Sequence, residues 1–379
     1  MKPKIRFKGF EGEWKAEELS HICSVNRGVR VTRNDLHNNG VYPVYQNTDY
    51  PMGYYTKFNV ESNNPFVIVG GSAGLIGFCH TNFWAADDCV FFGDNPIINK
   101  SFLYNNLIFH KTEIKRNVRG ASVPRLDRET LRKLPVSIPS LPEQQAIASY
   151  FTTLDSQISA STSRLTSLKQ MKAASLQAMF PQEGETVPKI RFKGFKGEWK
   201  KVKADSIFKT FNEKNRPDLP VLSATQDRGM VTRESIGYNI FHDTSNEATY
   251  KHILPGQFVI HLRSFQGGFA HSEIEGIASP AYTIIDFKNK DLYHDYYWRY
   301  VFMSKEFIKR LELITYGIRD GRSISYDEFK EMSFLVPSKE EQIKIASYLK
   351  NLDRQISLQS QRLEKLKQIK SACLDKMFV

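Results

Sequence analysis

A glycine-rich run and an acidic pair are the residues whose types suggest chemistry first. Gly70 to Gly74 reads GGSAG after an apolar stretch, as a phosphate-binding loop would. Its spacing fits neither G-x-x-x-x-G-K-[ST] nor G-x-G-x-x-G, which leaves a tight β-turn or a loop whose N–H groups approach a DNA phosphate. Asp87-Asp88 has no Glu-x-Lys companion of the kind metal-dependent nucleases use, and adjacent side chains on a strand point to opposite faces. We therefore predict that this pair is a solvated turn.

Other arrangements that could support catalysis or metal binding fail on spacing. The run NNPF at 63–66 differs from the N/D-P-P-Y/F motif of adenine methyltransferases, because Asn64 stands where the first proline belongs. Zinc-type CxxC pairs are missing from the sequence, whose cysteines are Cys23, Cys79, Cys89 and Cys373. The sequence predicts a chain that is not an enzyme and holds no cofactor or metal of its own.

Basic and amide side chains beside glycines form the remaining candidate set. Arg pairs bidentately with guanine and Asn or Gln with adenine, and each of these also binds phosphate. The net charge of +12 and the pI of about 9.3 favour a polyanionic partner. Any single member could instead be a solvated surface residue. The predicted DNA-binding residues are Arg27, Arg30, Gln46, Asn47, Ser72, Arg119 and Arg125 in the first half, and Gln226, Arg228, Arg263, Gln266, Arg319 and Arg322 in the second.

The ends and the apolar runs argue against membrane association. The start MKPKIRFKGF is charged and has no apolar core of a secretory signal. The longest mostly apolar run, Pro65 to Phe78, is too short to span a bilayer. The sequence has 41% apolar and 12% aromatic residues. This composition predicts a folded, cytoplasmic protein.

Two repeats show that the chain is internally duplicated. PKIRFKGFEGEWK starts at Pro3, and PKIRFKGFKGEWK starts at Pro188. The segment from Glu143 to Phe180 recurs 198 residues later with more than half of its positions identical. A common scaffold thus alternates with two variable segments, which predicts pseudo-twofold symmetry.

The longer repeat has the pattern of a helix. Its apolar residues recur every three, four or seven positions, and an S-x-x-E capping box precedes each copy, at Ser140 with Glu143 and at Ser338 with Glu341. Each helix could lie on its own domain or pair with the other copy, and the identity along the whole length favours pairing. The predicted pairing or partner-binding residues are Ile147, Leu154, Ile158, Leu165 and Leu168, matched by Ile345, Leu352, Ile356, Leu363 and Leu366.

The variable segments have α+β character and share little sequence. Short β-rich runs such as FVIVG, CVFFG, QFVIHL and YTIIDF alternate with turn residues, and 295–313 has a helical pattern. We predict an α+β chain in which two variable domains are separated by two long helices that pair as a coiled coil. The predicted boundaries are 1–142 for the first lead-in and variable domain, 143–180 for the first helix, 181–200 for the linker and second lead-in, 201–340 for the second variable domain, and 341–379 for the second helix.

The chain resembles the specificity (S) subunit of a type I restriction–modification system. The resemblance covers nearly the whole chain and is carried by these stretches: YPVYQNTDYPMGYY, VIVGGSAGLIGFCHTNFWAADDCVFF, ILPGQFVIHLRSFQGGFAHSEIEGIASPAYTI and GASVPRLDRETLRKLPVSIPSLPEQQAIASYF. It implies that each variable domain is a target-recognition domain that binds one half of a bipartite, asymmetric target in double-stranded DNA. It also implies that the two helices pack antiparallel as a spacer of roughly 55 Å, about 16 base pairs.

The resemblance further implies partner subunits. Two methyltransferase (M) subunits would use S-adenosylmethionine to methylate adenine N6, and restriction (R) subunits would use ATP and Mg for translocation and cleavage. The alternative hypothesis is a coiled-coil adapter whose variable domains bind proteins.

The repeated lead-in KIRFKGF would then connect each half to the same scaffold. We expect Phe7, Phe10 and Trp14 to be aromatic anchors near the helix ends, like their counterparts Phe192, Phe195 and Trp199. The alternative is that Lys4, Arg6 and Lys8 lie along the DNA backbone.

Overall fold

The computed structural model describes residues 1–36, 39–225, 228–236, 244–261, 268–313 and 324–379. These residues form two compact units, Met1–Ser163 with Ser360–Val379 and Arg164–Gln359. Each unit contains antiparallel strands, short helices and a pair of long helical segments, which confirms the α+β prediction.

Unit 1 consists mainly of short strands, and turn residues in the sequence separate these strands. Its elements are β1 (Lys15–Glu18), α1 (Leu19–Ile22), β2 (Val25–Arg27), β3 (Tyr42–Tyr45), β4 (Gly53–Tyr55), β5 (Asn64–Ile68), β6 (Ile76–Cys79), β7 (Trp84–Ala85), β8 (Cys89–Phe92), α2 (Lys100–Phe109), α3 (Lys111–Arg116), α4 (Arg128–Arg132), β9 (Pro135–Ile138) and the first part of α5 (Leu141–Ala178).

The central sheet of unit 1 has the order β2-β8-β5-β6 and is antiparallel throughout. All five residues of β5 are buried, since the strand lies in the middle of the sheet with β-branched and aromatic side chains on both faces. A second sheet, β4-β3-β7, and the pair β1-β9 complete the unit. Helix α2 packs on the central sheet through Phe102, Leu103 and Leu107.

Unit 2 repeats this plan in the second half. Its elements are the last part of α5, β10 (Lys200–Lys203), α6 (Ala204–Ile207), β11 (Phe208–Phe211), β12 (Leu222–Thr225), β13 (Gly229–Thr232), β14 (Lys251–Ile253), β15 (Phe258–Ile260), β16 (Phe269–His271), β17 (Gly276–Ala278), β18 (Thr283–Phe287), α7 (Asp295–Met303), α8 (Lys305–Leu313), α9 (Tyr326–Glu331), β19 (Ser333–Val336) and the first part of α10 (Lys339–Met377).

The two variable segments share a sheet that their sequences do not reveal. The order β11-β18-β15-β16 in unit 2 corresponds strand for strand to β2-β8-β5-β6 in unit 1, and β10-β19 corresponds to β1-β9. The variable segments thus differ in sequence, as expected, while they share a sheet topology. The predicted helix at 295–313 is two helices, because Ser304 caps a break. The Oγ of Ser304 accepts from the N–H of Phe307 at 3.2 Å.

The long helices pair antiparallel within each unit, which confirms the predicted pairing. In unit 1 Lys370 Nζ lies 2.5 Å from Asp155 Oδ1, and Tyr150 contacts Cys373. In unit 2 Lys172 Nζ lies 2.5 Å from Asp353 Oδ1. In the apolar stripe, Ile147, Leu154, Leu168, Ile345, Leu352 and Leu363 are buried, and Ile158, Leu165, Ile356 and Leu366 are half-buried.

Candidate nucleic-acid interface

Each lead-in is fixed to the start of a long helix by a bidentate ion pair. Arg6 donates from Nε and Nη2 to the two carboxylate oxygens of Glu143 at 2.6 and 2.7 Å, and from Nη1 to the carbonyl of Gly12 at 2.6 Å. Only 1% of the Glu143 surface is exposed. The interpretation of Arg6 as a DNA-backbone contact is therefore wrong, since its guanidinium is already occupied by a buried carboxylate.

The second copy of the lead-in makes the same contacts in unit 2. Arg191 donates to both oxygens of Glu341 at 2.6 and 2.7 Å and to the carbonyl of Gly197 at 2.6 Å. The hydrogen bond to Glu341 raises the pKa of Arg191 above its ordinary value. In the predicted capping box the Ser338 hydroxyl accepts from the N–H of Glu341 at 3.4 Å. The glutamate carboxylate binds the arginine instead of the cap.

Aromatic side chains attach the lead-ins to the helices as expected. In unit 1 Trp14 packs edge-on against Phe378 with ring centroids 6.4 Å apart, and Phe7 meets Tyr150 at 5.7 Å. Phe180–Trp199 and Phe192–Tyr348 repeat these pairs in unit 2, at 6.4 and 6.0 Å. Phe10 and Phe195 are half-buried, and Lys4 and Lys8 are exposed.

The acidic pair between β7 and β8 organises the predicted DNA-binding residues of unit 1. Arg27, at the end of β2, donates from Nε to the carbonyl of Asp87 at 2.7 Å. Gln46, after β3, donates its amide to Asp87 Oδ1 at 3.4 Å. The predicted turn is present, but its two residues are half-buried rather than solvated, because two neighbouring elements converge on it.

The adjacent carboxylate, Asp88, orients a third predicted residue. Arg125 Nη1 lies 3.5 Å from Asp88 Oδ1, and 64% of the arginine side chain is exposed against 21% of the aspartate. The backbone of Arg125 exchanges two hydrogen bonds with Arg119, at 2.7 and 2.8 Å. Gly70 makes the approach possible, since a Cβ at this position would overlap the Asp88 carboxyl group. The arginine is held at one edge and open at the other, as a donor to a base or a phosphate requires.

The glycine-rich loop between β5 and β6 is a turn bound to its neighbours. The N–H groups of Gly71, Ser72 and Gly74 donate to the carbonyls of Pro124, Asn47 and Ile68 at 3.1, 3.1 and 2.8 Å. Gly71 and Gly74 have φ of 75° and 83°, a region that favours glycine. These three N–H groups are thus used within the protein, which supports the turn interpretation over the phosphate loop.

The structure therefore brings together most of the predicted DNA-binding residues of unit 1. Arg27, Gln46, Asn47, Ser72, Arg119 and Arg125 belong to one hydrogen-bonded group of loops around the Asp87-Asp88 turn. Arg30 is exposed three residues after Arg27. All of these side chains except the half-buried Gln46 are exposed.

The corresponding set of unit 2 is described only in part. Arg228 is exposed after β12, and its N–H donates to the Thr225 hydroxyl at 3.2 Å. Gln226, Arg263, Gln266, Arg319 and Arg322 lie outside the described residues.

The role of the acidic residues in both places was not predicted from the sequence. The signal for the lead-in ion pair was present, because arginine and glutamate recur at equivalent positions of both repeats, whereas Glu11 is replaced by Lys196. The Asp87-Asp88 turn gave no such signal, since its partners come from strands distant in sequence. Over the described ranges no group of three or more His, Cys, Asp or Glu side chains is placed to hold a metal ion. No helix in the described part of the chain combines the length and apolar content that a membrane crossing requires.

Comparisons with known proteins identify similar sequences and folds. A family model described as the type I restriction modification DNA specificity domain matches residues 11–170 and 196–368, one match in each half of the duplication. The type I restriction enzyme MjaVIII specificity subunit of Methanocaldococcus jannaschii is 22% identical over 393 residues, covering 96% of this chain and 91% of that protein. The type I restriction enzyme EcoDI specificity subunit of Escherichia coli is 23% identical over 210 residues, and this match covers 55% of this chain and 46% of the relative, about half its length.

Among solved structures, the type I restriction-modification system S subunit from M. genitalium has a similar fold. It aligns with a TM-score of 0.70 and 17% identity over 100% of this chain and 99% of that chain. At this level of identity the likeness concerns the fold.

Proposed function

This chain belongs to the type I restriction–modification DNA specificity family, and from that premise we propose that it is the non-catalytic subunit that recognises the DNA target of such a system. Each recognition domain binds one half of a bipartite, asymmetric site in double-stranded DNA. The group of exposed basic and amide side chains around the Asp87-Asp88 turn is the observation that carries this proposal for the first half-site.

The way the chain varies between its halves supports a recognition role. The ion pairs, the aromatic anchors and the helix pairs are the same in both units, so the scaffold is equivalent. The candidate recognition residues differ, since Arg27 and Gln46 in unit 1 have no sequence counterparts in unit 2. A common scaffold with two different recognition surfaces suits a target whose halves are different.

The chemistry belongs to partners in this proposal. Two methyltransferase (M) subunits occupy equivalent surfaces of the duplicated scaffold, bind S-adenosylmethionine and methylate adenine N6 in the target. Restriction (R) subunits add ATP- and Mg-dependent translocation and cleavage. The chain itself supplies DNA contacts and positions the partners.

A map of N6-methyladenine in the native host, with the gene intact and with it deleted, tests the role directly. We expect a split motif that is methylated only when the gene is present. If no methylated motif depends on the gene in a host that expresses the partner methyltransferase, the proposal is wrong and a protein-binding adapter becomes the better hypothesis.

The candidate interface is tested by Arg125→Ala in the complex of the chain with its methyltransferase. If Arg125 contacts a base, the change costs about 1–3 kcal/mol of binding and relaxes specificity at one position. If it contacts a phosphate, binding weakens on all duplexes and the slope of log K against log[salt] falls by about 0.9. Arg128→Ala is the matched control, since Arg128 is an exposed arginine at the start of α4 outside the predicted set. Equal effects of the two changes would remove Arg125 from the interface.

A further inference from the structure

Helix α2 of unit 1 and helix α7 of unit 2 are equivalent, and the contacts fix their alignment. Gln144 binds the carbonyl of Ile97 and the N–H of Asn99, and Gln342 binds those of Leu292 and His294. The ring pairs agree: Phe102 packs on Phe378 at 5.4 Å, and Tyr297 packs on Phe180 at 5.6 Å. Each residue of α2 therefore corresponds to the residue 195 positions later in α7.

This alignment pairs Asn105 with Tyr300, two side chains of very different size. Tyr300 is fully buried, and its hydroxyl donates to Asp353 Oδ2 at 2.8 Å. Burial and the adjacent carboxylate raise the pKa of Tyr300 well above its ordinary value, so the phenol keeps its proton and acts as the donor. Oδ1 of Asp353 lies 2.5 Å from Lys172 Nζ. The aspartate therefore binds a phenol and an ammonium group at the same time.

Unit 1 contains the same aspartate and lysine but no phenol at the position of Tyr300. Tyr104 lines the same space as Asp155, yet no hydrogen bond joins the two in the described residues. Asp155 Oδ1 takes Lys370 Nζ at 2.5 Å, which leaves Oδ2 as the atom equivalent to the acceptor of Tyr300. Asn105 stops well short of where a tyrosine hydroxyl would lie. The surrounding positions are smaller too: Ser101 and Thr152 in unit 1 correspond to Tyr296 and Lys350 in unit 2.

The space that the Tyr300 ring fills in unit 2 is an open cleft in unit 1. Its volume is about 400 Å³, and it is lined by residues of α2, β6 and α5 that include Asn105, Tyr104, Phe78, Asp155 and Ser156. A cleft of this size accommodates a small ligand. Asn105 is only 2% exposed, and its Oδ1 is a buried acceptor with no hydrogen-bond partner in the described part of the chain. Buried acceptors without partners are uncommon in native proteins and call for an explanation.

The side chains that line the cleft favour one class of ligand over others. Phe78 and Tyr104 form an aromatic wall with ring centroids 5.3 Å apart, which suits a flat ring. Asp155, Asn105 and Ser156 offer oxygen acceptors, which suit a donor. A cationic ligand is disfavoured, because Lys370 already neutralises Asp155.

We propose that this cleft of unit 1 is a binding site for a phenol ring, whose hydroxyl donates to Asp155 as Tyr300 donates to Asp353 in unit 2. The phenol is either a free small molecule or the side chain of a tyrosine that a partner protein inserts. The site rests on the geometry of unit 1 and its comparison with unit 2, and only the choice between these two sources rests on the proposed function.

Titration of the DNA-free chain with p-cresol, followed by saturation-transfer NMR, tests the site. The comparison ligand is 4-methylanisole, which has the same ring and cannot donate. We expect p-cresol to bind about tenfold more tightly, because one hydrogen bond to a charged acceptor distinguishes the two. Equal binding of both ligands, tighter binding of benzylamine, or no binding of p-cresol would overturn the proposal.

Two variants tie the signal to the cleft. Asn105→Tyr supplies the ring from within and should abolish p-cresol binding, while leaving the α2 amide-exchange protection intact. If that variant does not fold, Asp155→Asn removes the charged acceptor and should cancel the preference for p-cresol over 4-methylanisole. Tyr300→Ala is the positive control, since it opens the equivalent space beside Asp353 and should add a second p-cresol site. Retention of all p-cresol binding in Asn105→Tyr would place the ligand elsewhere and refute the assignment.

The source of the phenol is decided by repeating the titration on the chain assembled with its methyltransferase. Loss of p-cresol binding in the complex assigns the cleft to a partner tyrosine, and retention assigns it to a free ligand. Failure of the chain to assemble would count against the proposed function and leave the result on the isolated chain unaffected.

Discussion

The bidentate ion pair between Arg191 and Glu341 makes a strong and measurable prediction. Arg191→Met keeps the length of the side chain and removes its charge and the hydrogen bonds that it donates. Glu341 is then left 1% exposed without a charged partner. We expect the second lead-in to detach from the start of α10 and unit 2 to lose stability.

The structure sets the size of the loss. Removing one partner of a buried ion pair costs about 3–5 kcal/mol, because the remaining charge stays in a medium that solvates it poorly. The Arg191 side chain keeps 17% exposure. Solvent therefore screens the pair, and the lower end, about 3 kcal/mol, applies. Arg191→Lys retains the charge but offers a point donor in place of the fork, and we expect roughly half the loss.

Hydrogen exchange of the segment 188–200, read by mass spectrometry, measures the local opening free energy. Lys193→Met is the matched control, since Lys193 is an exposed cation of the same lead-in. The double variant Arg191→Met with Glu341→Met closes a thermodynamic cycle. Its loss of opening free energy should be smaller than the sum of the two single losses by at least about 2 kcal/mol. If Arg191→Met and Lys193→Met give the same exchange rates, or if the two single effects add, the ion pair does not hold the lead-in and the reasoning fails.

Three further predictions concern single sites. Gly70→Ala should displace Asp88 and cost about 1–3 kcal/mol by overpacking, measured by denaturant unfolding; a variant as stable as the parent would contradict the close approach. Burial opposes ionisation of Asp295, yet its hydrogen bond from His271 at 2.9 Å lowers its pKa below the ordinary value. This contribution to stability is therefore present above about pH 4 and disappears as the pH falls through the lowered pKa; Asp295→Asn should flatten that part of the stability profile. Burial raises the pKa of Cys23 to about 11, so iodoacetamide at pH 8 should label it at least about 100-fold faster in the urea-unfolded chain than in the native one.

Local patterns predicted the elements whose signal lies within one segment. The apolar stripe through Leu154 and Leu352 located both long helices, because a period of three and four residues is sufficient to define one helix face. The strands around Phe66 and Val90 were predicted from short β-rich runs bounded by turn residues. Their pairing into the order β2-β8-β5-β6 was not predicted, since pairing depends on contacts between residues that are distant in sequence.

The functional residues divide along the same line. Arg27, Gln46 and Arg125 were selected for side-chain chemistry alone, and only the fold shows that they share one acidic turn. The ion pair of Arg6 with Glu143 joins residues 137 positions apart, a separation that no local pattern spans. The repeat nevertheless pointed to it, because both members recur together.

The internal duplication separates what the scaffold requires from what each half is free to change. Contacts that need particular atoms at both ends recur unchanged, as in Arg6–Glu143 and Arg191–Glu341. The ion pair of an aspartate with a lysine also recurs, as Asp155–Lys370 in unit 1 and Asp353–Lys172 in unit 2. Yet the phenol that also binds this aspartate comes from Tyr300 in unit 2, whereas the equivalent position in unit 1 is Asn105. A difference confined to one member of an otherwise repeated triad is hard to attribute to packing, since a tyrosine at this position evidently fits the scaffold. It indicates that unit 1 leaves the acceptor open for a group that the described residues of unit 1 do not provide.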